Sequence, residues 1–553
     1  MKAGARKDAL TWSFASYWPL LTILLVTFAI YGWSLTFDFL SWDDDQNITQ
    51  NPWILKGEWL RFWREHFVGM YVPLVYTVWF GLSKLGSGFD PKWFHACNLF
   101  VHGINAILVY LLASHSVDKE NQETRRSTGI AFLAALLFAL HPLQVEAVAW
   151  VTGLRDLLST SLVLTAAMVS LYRGYRIQRE VLGFIIFVGA LLCKPSAAVV
   201  PVAFAVLAVA TGICNVRLAA LKYAPWLAMG AVAVIATKNI QTEVISFAVP
   251  AISFVSRLLV TLDSYGFYLS KLFLPIGLAV DYGRTPQKMI DGTHYVSTVS
   301  WVLIAIMVLA ASFRRLNKRE LGWLCFAVIT LAPTSGLVSF AFQHVSTVAD
   351  HYMYLPLVGI VLFGVSILGR TSNKYVVAAA ACLIPICAGL SLYRMSIWRD
   401  DKALFSSMLA ANSDSYGGHI GMVAIAMKEG RYAEALPNLR EAERLEPTNV
   451  VTLLDKWLLY VKLERFKEVV EDKPGHMLTK EQIRANPNSA STIAGQYVVL
   501  AYAQMRLGDF RGSFETSCLA RFADPEHPDL PKFFPFLGGK LGLSPPAERW
   551  CPE

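Results

Sequence analysis

The chain has 553 residues, of which 55% are hydrophobic and 16% are charged. Soluble proteins carry about a quarter charged residues, so the composition excludes an ordinary soluble enzyme and indicates a membrane protein with several spans. The net charge of +8 does not indicate nucleic-acid binding. Its basic residues fall in short clusters between apolar runs, as they do in cytoplasmic loops.

The apolar runs predict about eleven membrane-spanning helices, the first being a retained signal anchor. That run follows Lys2, Arg6 and Lys7 and lacks a small-residue cleavage site. A further apolar stretch, 256–275, contains three charged residues and is predicted not to cross, since only then do the N-terminus and all five basic loops face the cytoplasm. The predicted spans are 18–36, 94–114, 128–143, 156–173, 180–194, 196–213, 222–237, 299–313, 321–340, 354–369 and 375–393.

Three consecutive carboxylates, Asp43, Asp44 and Asp45, follow the first predicted span in the stretch FDFLSWDDDQNITQNPWI. The predicted topology places them on the non-cytoplasmic face. One carboxylate there can act as a general base, and all three together could bind a divalent cation such as Mg²⁺ or Mn²⁺. The alternative is a solvated loop that caps the next segment, 55–67, which is predicted to be an amphipathic interfacial helix.

Further ionisable residues lie at the ends of later predicted spans, on the same side of the membrane. Such groups are costly near a bilayer and indicate function, although a snorkelling side chain or an internal ion pair is the alternative for each. Cations would hold a lipid-linked phosphate, and a carboxylate would accept a proton from an acceptor hydroxyl. The candidates are Glu146, Arg155, Asp156, Lys194, Asp350, His351 and Tyr352.

The composition changes once, which divides the chain into a membrane domain, 1–393, and a polar, soluble domain, 394–553. Six of the eight cysteines lie in or beside predicted spans, and two lie in the soluble domain. Cys518 and Cys551 could pair if that domain faces an oxidising compartment.

The soluble domain contains a repeated helical pattern. Gly430, Tyr432 and Pro447 fit a tetratricopeptide repeat, in which small residues let two antiparallel helices approach and proline ends the second helix. The same offsets recur around 508–525, with a degenerate unit in between. About three such repeats would form a small α-solenoid; the alternative is a generic helical-hairpin domain.

Several motifs occur in a fixed order: WDDDQNITQNP, ALHPLQVEAVAWVTGLRDLLST, LLCKPSAAVVPV, ADHYMYLPLVG and WRDDKALFSSML, followed by the repeats. Together they resemble the transmembrane and tetratricopeptide-repeat O-mannosyltransferase-like proteins and their bacterial relatives, within the GT-C superfamily. The resemblance covers about 20–450. It implies an all-α fold, in which a polytopic GT-C-like helix bundle precedes the repeats.

The resemblance also implies an activity: transfer of a sugar from a polyprenyl-phosphate donor to an acceptor hydroxyl, often a protein Ser or Thr, on the non-cytoplasmic face. Asp43 and Asp44 match the acidic motif of the family's first outer loop, and one of them would be the general base. Arg155 and Asp156 keep the family's pattern in the second outer loop. Relatives commonly have Arg where this chain has His351, and His is not a permanent cation.

The residues themselves suggest a mechanism. Arg155, Lys194 or His351 would balance the charge of the phosphate leaving group, and Asp43 or Asp44 would deprotonate the attacking hydroxyl. Direct displacement would invert the anomeric carbon. No obligatory metal is expected.

The expected partners are the polyprenyl-phosphate sugar donor, an acceptor protein or peptide bound through the repeats, and the lipid bilayer, with no nucleic acid. The expected location is a bacterial inner membrane with periplasmic repeats, or the ER membrane with luminal repeats. Two alternatives remain: a non-enzymatic membrane scaffold whose repeats recruit a partner, and a transporter of polyprenyl-linked sugars.

Overall fold

The computed structural model of the chain describes residues 18–86, 88–116, 124–171, 176–248, 252–292, 295–371, 373–447, 449–472, 478–484, 490–544 and 551. Within these residues the regular structure is helical, which confirms the predicted all-α class. The chain divides into two compact units between Ser407 and Met408. The predicted boundary at 393/394 lies earlier, inside the helix Lys374–Met395.

The first unit contains the apolar helices. They are α1 Trp18–Tyr31, α2 Pro52–Leu55, α3 Pro73–Leu82, α4 Pro91–Ser116, α5 Thr124–Leu140, α6 Val145–Ala149, α7 Leu154–Ser170, α8 Ile177–Leu191, α9 Val200–Ala210, α10 Val216–Ala248, α11 Phe254–Phe273, α12 Pro286–Asp291, α13 Tyr295–Ser312, α14 Lys318–Leu331, α15 Pro356–Arg370 and α16 Lys374–Met395. The next helix, α17 Asp401–Ala411, contains the division between the units.

Several of these helices can cross a membrane, so the chain is an integral membrane protein. Five segments are long and apolar enough in the part of the chain that is described: Trp18–Thr36, Pro91–His115, Val216–Gln241, Thr298–Arg315 and Lys374–Trp398. A bent pair of helices adds a sixth candidate, and three further apolar helices are shorter. α11, which covers most of 256–275, is not among the candidates. The count of about eleven spans stays a prediction.

The bent pair positions the segment 144–155, which is predicted to form the second outer loop. Arg126–Leu140 and Pro142–Ala149 meet at 52°. The helix breaks there because Pro142 lacks a backbone N–H and disfavours helical geometry at His141, which is extended with ψ 132°. The His141 ring accepts the backbone N–H of Leu143 at 3.2 Å, which caps the new turn.

Breaking a helix inside a membrane protein leaves carbonyl groups that need hydrogen-bond donors, and α4 supplies one at Asn98. Its side-chain amide is fully buried and donates to the carbonyls of Val148, Trp150 and Val151 at 3.4, 2.8 and 3.3 Å. These carbonyls lie where α6 ends, just before Arg155. Asn98 therefore holds the segment 144–155 in place.

The next two polar residues of α4 continue the same function. His102 Nε2 lies 3.0 Å from the Ala139 carbonyl and must donate to it, so Nδ1 accepts the Tyr354 hydroxyl at 2.7 Å. Asn105 donates to the Tyr354 oxygen and to the Leu157 carbonyl at 3.1 and 2.9 Å. One directed chain of hydrogen bonds thus joins α4, α5, α7 and the start of α15.

One local prediction is wrong. The segment 55–67 is not a single amphipathic helix: α2 ends at Leu55, a glycine with φ 78° follows at Gly57, and a separate 3₁₀ helix covers Trp59–Trp63. Left-handed backbone at Gly57 interrupts the helix.

The second unit consists of helical hairpins. Its helices are α18 Tyr416–Lys428, α19 Tyr432–Leu445, α20 Val450–Lys462, α21 Phe466–Glu471, α22 Lys480–Arg484, α23 Ala490–Arg506, α24 Phe510–Ala523 and α25 Leu530–Leu541. A left-handed residue lies two positions before α19, α21 and α24, with φ 73° at Gly430, 58° at Glu464 and 86° at Gly508. Glycine adopts this conformation at little cost. Helix pairs occur at the predicted positions, and their assignment as tetratricopeptide repeats stays a prediction.

The last hairpin is covalently linked to the C-terminal segment. Cys518 on α24 and Cys551 form a disulfide, with their Cα atoms 5.4 Å apart. Both sulfurs lie against the apolar cluster that includes Tyr497, Phe514 and Phe534. The pairing considered from sequence is therefore present.

We expect Asn98→Ala to lower the free energy of unfolding by about 1–3 kcal/mol, because three buried carbonyls would each lose one hydrogen bond. The backbone N–H groups of Gly153 and Leu154 would still donate to Trp150 and Val151. Thermal melting of the purified protein in detergent measures this.

Phe100→Leu is the matched control, since Phe100 lies on the same helix with 58% of its side chain exposed. Equal melting temperatures for Asn98→Ala and the wild type would contradict the role of Asn98.

Candidate functional site

The carboxylate of Asp44 is fully buried and joins the segment that follows α1 to the segment 144–155. One oxygen accepts the Leu40 backbone N–H at 3.0 Å. The other accepts the Thr152 backbone N–H at 3.1 Å and the Thr152 hydroxyl at 2.5 Å. Burial raises the pKa of Asp44 to about 7, although these hydrogen bonds lower it. With its oxygens occupied by protein donors, Asp44 positions the loops.

Asp43 differs from its neighbour because 36% of its side chain is exposed. Its carboxylate lies 3.4 Å from Nη2 of Arg155. Partial enclosure raises the pKa of Asp43 and the Arg155 guanidinium lowers it. Of the two carboxylates predicted to be catalytic, Asp43 is the one that a substrate can reach.

Arg155 is held from several sides. Its Nε donates to the Thr152 carbonyl at 3.2 Å, its Nη1 lies 2.8 Å from the Met70 sulfur, and its guanidinium lies 5.6 Å from the centre of the Trp150 ring. The same Thr152 therefore binds Asp44 and orients Arg155. This residue fixes the geometry of the Asp43–Arg155 pair.

A second ion pair lies beside the first. Lys194 follows α8 and bonds directly to the carboxylate of Asp156. Its ammonium group lies 5.4 Å from the centre of the Tyr352 ring. Asp156 adjoins Arg155 in the chain, so this bond brings Lys194 beside Arg155. Arg155 and Lys194 are thus close enough to interact electrostatically, although they come from separate parts of the chain.

A third group of charges lies behind the ion pairs. His351 Nδ1 lies 2.6 Å from Glu146 Oε1. Burial lowers the pKa of His351 to about 3, which favours the neutral ring, and Nδ1 shares a hydrogen bond with Glu146. His351 therefore cannot replace the permanent charge of an Arg.

Asp350 is fully buried and anchors the segment that carries His351 and Tyr352. It accepts the Tyr282 hydroxyl at 2.6 Å and Nη2 of Arg394 at 3.1 Å. The Arg394 guanidinium also lies 4.0 Å from Glu146. Asp350 and Glu146 thus both lie close to the buried guanidinium of Arg394. These contacts hold the segment that carries His351 and Tyr352.

The three carboxylates of Asp43, Asp44 and Asp45 do not converge. Asp44 faces Thr152, Asp43 faces Arg155, and Asp45 accepts the Gln46 backbone N–H at 2.7 Å. Across the residues that the structure describes, no group of three or more His, Cys, Asp or Glu side chains could hold a metal ion.

Six of the predicted site residues thus contact one another in three pairs: Asp43 with Arg155, Asp156 with Lys194, and Glu146 with His351. Sequence reasoning missed Thr152, which orients Arg155, and Tyr282 and Arg394, which bind Asp350. The polar residues of α4 were also missed, although Asn98, His102 and Asn105 recur at helical spacing within an apolar run and could have been recognised by it.

The chain is similar to curated proteins whose names give the same activity. It is 36% identical over 148 residues to human "Protein O-mannosyl-transferase TMTC1", covering 25% of this chain and 16% of that protein. It is 23% identical over 452 residues to "Protein O-mannosyl-transferase F38B6.6" of Caenorhabditis elegans, covering 78% and 63%. It is 26% identical over 474 residues to human "Protein O-mannosyl-transferase TMTC4", covering 71% and 62%.

These relatives are protein O-mannosyl-transferases. The chain spans less than two thirds of the length of each of these three proteins. No family model matches the chain, and no solved structure matches it. The comparisons support the predicted resemblance to this group of transferases.

We expect Asp44→Asn to lower the free energy of unfolding on the order of 1–3 kcal/mol, and therefore to lower the melting temperature by several degrees. The reason is that an amide N–H would face a backbone N–H of Leu40 or Thr152. Asp43→Asn, whose side chain is partly exposed, is the matched control and should melt close to the wild type. Melting of both purified variants tests this. If Asp44→Asn melts with the wild type, the proposed linkage between the loops is wrong.

Proposed function

We propose that the protein is a membrane glycosyltransferase that moves a sugar from a polyprenyl-phosphate donor to a hydroxyl of an acceptor protein. The observation that carries this proposal is the accessible carboxylate of Asp43, held 3.4 Å from Arg155. A general base and a cation, placed side by side, are what such a transfer requires. The names of the relatives support mannose as the sugar and protein as the acceptor.

In this proposal Arg155 and Lys194 hold the donor phosphate. Both are cations that interact electrostatically with one another, and an anionic group between them would relieve their mutual repulsion. Their present partners, Asp43 and Asp156, would release them in part when phosphate binds. His351 is neutral and contributes no charge, so its role is to position Tyr352 through its bond to Glu146.

The proposed reaction is a single displacement. Asp43 accepts the proton of the acceptor hydroxyl while the hydroxyl oxygen forms a bond to the anomeric carbon. The bond between that carbon and the phosphate oxygen breaks, and its electron pair stays on the polyprenyl phosphate. Attack opposite to the leaving group inverts the anomeric centre. No metal enters these steps, and chelators are expected to leave the rate unchanged.

The site is proposed to face the periplasm of a bacterium, or the ER lumen of a eukaryote. The positive-inside tendency supports this orientation. The disulfide between Cys518 and Cys551 also supports it, because disulfides persist in oxidising compartments. The helical hairpins of the second unit would bind the acceptor protein there.

We expect Asp43→Asn to reduce transfer by at least about a hundredfold, because general-base catalysis contributes roughly 10²–10⁴ in rate. Mass spectrometry of O-linked sugars measures transfer in cells that lack the native gene and express each variant. Asp38→Asn is the matched control, since Asp38 lies in the same loop with an exposed side chain.

Unchanged modification in Asp43→Asn would contradict the proposal. A scaffold function would then be favoured if deletion of the second unit alone abolished the phenotype. A transporter function would be favoured if polyprenyl-linked sugar accumulated on the cytoplasmic side.

We also expect Arg155→Gln to move the acid limb of the pH–rate profile to higher pH. Arg155 lowers the pKa of Asp43, so losing its charge raises that pKa, and a higher pH is needed to keep the base ionised. The profile of kcat at saturating donor tests this, with an acceptor identified from the mass spectrometry. Arg155→Lys keeps the charge and should shift the limb less; an identical limb in Arg155→Gln would contradict Asp43 as the base.

A further inference from the structure

Four residues that follow α16 have no part in the proposed reaction, although they begin the motif WRDDKALFSSML. They are called here the WRDD segment: Trp398, Arg399, Asp400 and Asp401. Trp398 is fully buried, and its ring stacks on the ring of Trp150 with the ring centres 5.9 Å apart. Trp150 is also the ring against which the Arg155 guanidinium lies. The WRDD segment is thus packed beside the cations of the site.

The WRDD segment is also bonded to the loop that carries Asp43. The Asp38 backbone N–H donates to the Arg399 carbonyl at 3.1 Å. The Asp401 carboxylate accepts both donors of Ser41, the backbone N–H on one oxygen at 2.8 Å and the hydroxyl on the other at 2.7 Å. Asp401 and Ser41 are 360 residues apart in the chain, so this contact depends on the tertiary fold.

Asp401 and Asp44 hold neighbouring peptide groups of the loop. Asp44 accepts the Leu40 backbone N–H at 3.0 Å, and Asp401 accepts the N–H of the next residue, Ser41. These peptide groups precede Asp43 directly in the turn. Because each residue has only two soft backbone dihedrals, fixing both peptides leaves Asp43 little freedom to move relative to Arg155.

The bonds of Asp401 are better suited to positioning the loop than to stabilising the fold. Ser41 is exposed and Asp401 is half-buried, and a hydrogen bond that water can replace adds little to the free energy of unfolding. The buried Asp44 already ties the loop to the rest of the domain. Geometry is more sensitive, since a displacement of about 1 Å at a reacting group can reduce the rate about a hundredfold.

We propose that Asp401 is a positioning residue for the general base: it holds Ser41, and through Ser41 the turn that places Asp43 beside Arg155. The inference rests on the proposed transferase function, and Asp401 acts on the reaction only through the loop. The last apolar helix is thereby linked to the base at the opposite end of the membrane domain's sequence.

The test measures kcat, donor KM and melting temperature for the full chain in nanodiscs, with citronellyl phosphate mannose as donor and an acceptor identified by mass spectrometry. We expect Asp401→Ala to lower kcat about tenfold or more. The donor KM should stay close to the wild-type value, because Arg155 and Lys194 are unchanged. The melting temperature should also stay close to the wild type, since the lost bonds are exposed.

Two further variants separate position from charge. Asp401→Asn keeps an oxygen for the Ser41 N–H, and its amide can donate to the Ser41 hydroxyl oxygen, so it should recover most of the lost kcat. Arg399→Ala is the matched control within the segment. It removes a side chain that is 55% exposed and paired with Asp400, but keeps the carbonyl that accepts from Asp38, so kcat should not change.

Ser41→Ala tests the same contact from the other side and does not alter the WRDD segment. It removes one of the two bonds and should lower kcat roughly two- to tenfold, as expected for one hydrogen bond. Combined with Asp401→Ala, it should cost less than it does alone, because the two residues act as a unit.

The inference is overturned if Asp401→Ala keeps the wild-type kcat, if Asp401→Asn is as slow as Asp401→Ala, or if the effects of Ser41→Ala and Asp401→Ala simply add. Each of these outcomes leaves the transferase proposal intact, because that proposal depends on Asp43. Wild-type kcat in Asp43→Asn, measured in the same assay, would overturn both.

Discussion

The hydrogen bonds of Asp44 hold together two segments that are 108 residues apart in the chain. One buried carboxylate accepts the backbone of Leu40 on one side and both donors of Thr152 on the other. Thr152 in turn orients Arg155 through its carbonyl. Without this connection, Asp43 and Arg155 would belong to two independent loops, and the proposed base and cation would not share a site.

The segment 144–155 needs its own support because it begins at a broken helix. Pro142 ends the ladder of helical hydrogen bonds, and His102 of α4 donates to the Ala139 carbonyl just before the break. Asn98 of α4 donates to the carbonyls where α6 ends. Asn98 and His102 are therefore as important to the site as the ion pairs, although neither faces a substrate. A polar stripe inside a membrane helix acts here as a scaffold for a loop.

The helices of the chain could be predicted from its sequence because hydrophobic periodicity and proline positions are local signals. The charged residues that the structure brings together as ion pairs could also be selected from the sequence, since ionisable groups at span ends are rare. The sequence could not tell which member of the acidic triplet is buried, because that depends on Thr152, far along the chain. Arg394 was missed for a similar reason: it ends the last apolar run and resembles the first residue of a polar domain, whereas it is buried against Asp350.

The account as a whole depends on where the donor phosphate binds. The most direct measurement is an experimental structure of the full chain in nanodiscs with a polyprenyl-phosphate sugar bound. We predict that the phosphate contacts Arg155 and Lys194, with the anomeric carbon facing Asp43. A phosphate bound among the basic loops of the opposite face, with no ligand near Asp43, would contradict the account.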